Sequence, residues 1–123
     1  MVNVTDEKFQ ELINQAISTL PQNHINRLEN VAILYEYDPT PEQRLNLELR
    51  QNQTLFGLYE GVPLSKRQGT TKLLPDKITI FKNPISASVN SEAALKEQIR
   101  HTLWHEIAHF YGLGHNKIRE LEA

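Results

Sequence analysis

Cysteine is absent from the 123 residues. That absence excludes a disulfide framework, a thiolate zinc site, an iron–sulfur cluster and a cysteine nucleophile, so any metal must rest on His, Asp or Glu. A basic excess is also missing, with 13 Lys+Arg against 15 Asp+Glu and a formal net charge of -2. Binding to a phosphate backbone draws on clustered Lys and Arg, so nucleic acid is not an expected partner. Nowhere do the roughly 18 consecutive apolar residues of a membrane span run together, so no membrane role is expected. The first residues, Met1-Val-Asn-Val-Thr-Asp-Glu-Lys, show no basic segment followed by an apolar stretch, and the expectation is a cytoplasmic protein. No repeat or low-complexity linker divides the chain, which reads as a single domain over 1–123.

What is present falls into short elements. Phe9, Leu12, Ile13, Ala16, Ile17 and Leu20 recur at helical spacing, with Thr5 or Asp6 as the cap and Pro21 as the stop. Residues 31–37 are β-branched and aromatic and end at Asp38-Pro39, which predicts a strand. A brief helical turn is expected around 41–49. Residues 55–61 and 77–82 read as two further strands, with Gly57 either a bulge or a point of close approach. The polar, basic stretch 65–74 between them reads as a solvated connector. From Ser91 the composition turns to helix formers, and no Pro or Gly interrupts the chain before Gly112.

That last helix carries the chemistry, in the run His105-Glu106-Ile107-Ala108-His109 followed by Gly112 and His115. Residues four apart on an α-helix are rotated by roughly 40° and raised by about 6 Å, so His105 and His109 can converge on one ion. Catalytic zinc takes three protein ligands and keeps a fourth position open, and the third must arrive from another direction. A glycine at the helix end can take positive φ and reverse the chain, which lets His115 approach from beyond the helix. Glu106 stands about 100° round from His105, where its carboxylate reaches a water rather than the metal. It is the expected general base. The His-Glu-His core alone arises by chance in such a chain roughly 2% of the time, and adding Gly112 and His115 lowers that by orders of magnitude.

On these residues the chain resembles the zincin metallopeptidases, and the extended motif is similar to the metzincin signature. Metzincins carry a methionine turn beneath the metal, whereas the one methionine here is Met1. The small bacterial zincin-like metallopeptidase family is the better match. The resemblance covers the early helix, the Gly-Leu-Tyr-Glu-Gly-Val-Pro-Leu stretch of 57–64, the Pro-Asp-Lys-Ile start of the third strand, and the motif helix. It implies an α+β zincin-like domain: a small mixed sheet packed with the N-terminal helix and the C-terminal active-site helix. It further implies one Zn2+ per chain and hydrolysis of peptide bonds. Family members, as the resemblance implies, often carry an acidic residue where this chain has His115 and Gly where it has Ala108.

The remaining candidates have plainer readings. His101 precedes His105 by one turn, but only the His105 and His109 pairing places Glu106 and the glycine turn correctly. His24, in a polar stretch, is expected to be exposed. Trp104 and Phe110 read as core packing around the site. Tyr59 and Tyr111 are weighed as oxyanion donors and left unassigned, since structural tyrosines outnumber catalytic ones. The expected partner is a peptide or protein substrate, held extended along 56–61; in so short a chain, either the substrate is small or a protein partner completes the cleft. Two other functions stay open: a non-catalytic module stabilised by zinc, and a three-histidine zinc endoribonuclease with the same histidine spacing, against which Glu106 and the acidic balance stand.

Overall fold

The structure is a computed structural model that describes residues 1–28, 30–46, 55–61 and 75–112. Helix α1 spans Asp6–Thr19, and the Thr5 hydroxyl accepts the Lys8 N–H at 3.1 Å, satisfying one of the donors orphaned at a helix start. After it come α2 (Gln22–Ile25), β1 (Val31–Glu36), α3 (Pro41–Asn46), β2 (Gly57–Glu60), β3 (Asp76–Phe81), α4 (Lys82–Ala87) and α5 (Glu92–Phe110). Ser91 caps α5 by accepting the Ala94 N–H at 3.0 Å. Two of the short helices, α2 and α4, are additions to the elements read from the sequence. Pro84 lies in the first turn of α4, where its missing N–H would have no helical partner anyway. Pro21 is the residue before α2.

The strands form one mixed sheet in the order β1-β3-β2, with β1 parallel and β2 antiparallel to β3. This is the α+β arrangement expected. β3 is the central strand and the most buried; Ile78, Ile80 and Phe81 are closed to solvent. Helix α5 lies against β2 and β3, and α1 lies alongside α5. Phe9 of α1 meets Tyr35 of β1 edge-on at 5.3 Å between centroids. Leu95, Ile99, Leu103 and Ile107 of α5 interlock with Phe9, Leu12, Ile13 and Ala16 of α1 and with Ile78 and Ile80. Each buried aliphatic side chain contributes roughly 1.5–3 kcal/mol of transfer free energy, so this stripe fixes the rotation of α5. At the far end, Lys82 Nζ sits 2.7 Å from Asp6 and the Tyr37 hydroxyl donates to the same carboxylate at 2.6 Å, tying α4 to the start of α1.

Candidate metal centre

With one stripe of α5 committed to the core, the neighbouring stripe is turned toward β2. It carries Gln98, Thr102, His105, Glu106 and His109. His105 and His109 are half-buried, and their ring centroids stand 4.8 Å apart at 74°. One ligand atom from each of His105, Glu106 and His109 lies within 4.8 Å of the others, as donors around a single ion must. This follows from local geometry: residues four apart share a helix face, and the interlock with α1 points that face at the sheet.

Glu106 sits at the border between the two stripes and is only 8% exposed. Burial pushes its carboxyl up to about 7 from an ordinary 4.5, and a hydrogen bond from the backbone N–H of Tyr59 pulls the other way. Sheet geometry explains that donor. The Phe81 N–H donates to the Phe56 carbonyl at 2.8 Å, so by antiparallel alternation Leu58 and Glu60 also turn their backbone groups toward β3. Gly57 and Tyr59 then direct theirs to the opposite edge, where α5 lies. A groove of about 350 Å³ runs between this edge and the helix, lined among others by Phe56, Gly57, His101, Thr102, His105 and Glu106.

Gly57 marks a close approach, the second of the two readings its sequence position allowed. A Cβ there would lie 2.6 Å from Thr102 Cγ2, nearer than side-chain carbons pack. Only glycine lets α5 come this close to β2. Gly112 fulfils the other glycine expectation: its φ is 81°, and its N–H donates to the His109 carbonyl at 2.9 Å, closing the helix end. His115 lies outside the described residues.

His101 is exposed, lines the groove, and stands outside the His105–Glu106–His109 cluster. The two tyrosines considered as oxyanion donors both direct their hydroxyls to the protein. Tyr59 donates to Asp76 Oδ2 and Tyr111 to the His24 carbonyl. His24 is half-buried rather than exposed, meeting Trp104 and Tyr111 edge-on at 5.5 and 5.7 Å. Its neighbours in sequence are polar; the rings that cover it come from the far end of the chain.

The model of the zincin-like metallopeptidase family matches residues 28–123. The chain belongs to this family. A conserved hypothetical protein from T. thermophilus has a similar fold, with a TM-score of 0.57 at 20% identity over 85% of this chain and 92% of that one. No curated protein matches the chain. Within this zincin-like domain, two imidazoles converging on one helix suit zinc, with a carboxylate beside them, and family and cluster together point to that metal. No described helix is long and apolar enough to cross a membrane. The contribution that the sequence leaves unseen is the Tyr59 amide, because which strand residues face an open edge depends on pairing parity rather than on residue type.

Proposed function

We propose that this zincin-like domain is a zinc-dependent peptidase acting on a peptide or protein substrate. His105, His109 and His115 would hold the ion, with one zinc per chain. When bound, zinc supplies Lewis-acid activation of a water molecule and of the scissile carbonyl. The protein's own groups do the rest. Glu106 takes a proton from the attacking water as the carbon–oxygen bond forms, and returns it to the leaving nitrogen as the carbon–nitrogen bond breaks. A carboxylate almost closed to solvent beside the two imidazoles is placed to make both transfers. The outward backbone groups of Gly57 and the groove beside them offer an extended peptide a main-chain track.

One observation carries this reading: a buried carboxylate within 4.8 Å of two imidazoles, set in the wall of a groove. A purely structural zinc site has its coordination closed and gains nothing from a buried base at its side. The protein would work in the cytoplasm without nucleic acid or membrane, with a protein partner completing the second wall of the cleft. The test incubates the zinc-loaded protein with an unbiased peptide mixture. Cleavage that a chelator abolishes and zinc restores supports the peptidase. Zinc binding without cleavage in any condition favours the binding module.

A further inference from the structure

Asp76 is fully buried at the first position of β3, a place where an ionised carboxylate is costly unless it is hydrogen-bonded. It accepts the Tyr59 hydroxyl through Oδ2. Its carboxylate also lies against the end of β2, where a Cβ on Gly61 would fall 2.2 Å from Asp76 Cγ, so residue 61 must be glycine for the carboxylate to sit there. The side chain of Tyr59 is thus held at the tip by Asp76, with its ring edge-on to Phe110 of α5 at 6.1 Å. The backbone N–H of the same residue donates to Glu106. Two anchors meet at one strand position, one gripping the side chain and one leaving through the main chain.

We propose that Asp76 and Tyr59 are positioning residues for Glu106. The buried carboxylate fixes the phenol, the phenol fixes residue 59 of the edge strand, and the amide of residue 59 holds the base in its orientation toward the two imidazoles. This rests on the reading of Glu106 as the base, but the contact chain is testable without any peptidase activity. The edge position matters. Leu58 and Glu60 are held by β3, whereas the outward amide of Tyr59 depends on how the strand edge is pinned against α5.

The experiment is amide hydrogen exchange of the zinc-loaded protein, resolved by residue. Residue 59 reports the contact to Glu106, and Thr79, opposite Leu58, reports the sheet. Tyr59→Phe removes one oxygen, and exchange at residue 59 should quicken by about 10-fold or more while Thr79 stays protected. Asp76→Ala should do the same, and Asp76→Asn, which keeps an acceptor oxygen, should return protection close to that of the unmodified chain. Glu106→Ala should quicken residue 59 as well. Unchanged exchange at residue 59 in Tyr59→Phe overturns the proposal, as does quickening of residue 59 and Thr79 together, which is the mark of a merely structural role. Should Asp76→Ala fail to fold, Tyr59→Phe and Asp76→Asn still decide the matter. In turnover, Tyr59→Phe should lower kcat by about 10-fold with KM and zinc content unchanged. Absence of any cleavage by the unmodified chain would remove the peptidase reading and leave the exchange result standing by itself.

Discussion

The backbone N–H of Tyr59 on β2 donates to the carboxylate of Glu106 on α5, joining the sheet edge to the helix that carries the imidazoles. The proposed metal ligands and the proposed base therefore depend on different structure. His105 and His109 need only the helix and its rotation; Glu106 also needs the strand to be in register and close. Experiment can separate these dependences.

Metal comes first. The purified protein reconstituted with zinc should hold about one equivalent per chain and melt at a lower temperature once chelated, because a ligand that binds only the folded state stabilises it by mass action. Elemental analysis and paired melting curves check this. An empty protein after reconstitution, or identical melting with and without chelator, contradicts it.

Acidity should reveal Glu106 in the metal-free protein. Its folded value of about 7 exceeds the ordinary 4.5, so between these the folded state binds more protons than the unfolded state. Stability therefore falls as pH rises through that window, and the loss is complete above it, up to ~3 kcal/mol from this one group. Glu106→Gln should flatten that part of the curve. Urea midpoints of both chelated proteins at about pH 5 and about pH 8 decide it. Parallel pH dependences would show that burial does not raise this carboxyl.

The approach of α5 to β2 should be sensitive to a single methyl. Gly57→Ala places a carbon 2.6 Å from Thr102 Cγ2 and should cost ~1–3 kcal/mol as an overpacking change. Thr102→Ser deletes that methyl while keeping the hydroxyl that accepts from Gln98 at 3.4 Å, so the double variant should recover most of the loss. Additive destabilisation measured by chemical denaturation would contradict the close contact.

The proposed third ligand, His115, tests the register of the motif. His115→Ala should weaken zinc binding sharply, and His115→Asp should retain much of it, since a carboxylate oxygen binds zinc at nearly the imidazole distance. His101→Ala should leave the affinity near its starting value. Competitive zinc titration distinguishes them. Loss in His101→Ala with tight binding in His115→Ala would place the helical pair one turn earlier.

Those parts of the site set by helix periodicity were legible in the sequence. The convergence of His105 and His109, the offset of Glu106 and the positive φ at Gly112 all follow from 3.6 residues per turn and from glycine's backbone freedom. The three strands were legible from β-branched runs between turn residues, and the mixed sheet was implied by the family resemblance. What stayed hidden depends on contacts between distant segments. The Tyr59 amide faces Glu106 because of strand parity; a slip of one residue would present Leu58 or Glu60 instead. His24 is covered by Trp104 and Tyr111 from the other end of the chain, which no local pattern shows. Helix α4 went unseen because Asn83-Pro84 signals a turn as readily as the first turn of a helix.

The proposed metal-dependent peptidase centre on α5, with Glu106 as its base, stands or falls with Glu106→Gln. The variant keeps the shape of the side chain and removes its basicity. Peptide cleavage should be measured for the unmodified protein and the variant at equal, verified zinc content. Turnover should fall by about 100-fold or more with zinc retained, the range that general base catalysis supplies. Cleavage by the zinc-loaded variant at the rate of the unmodified protein would contradict it.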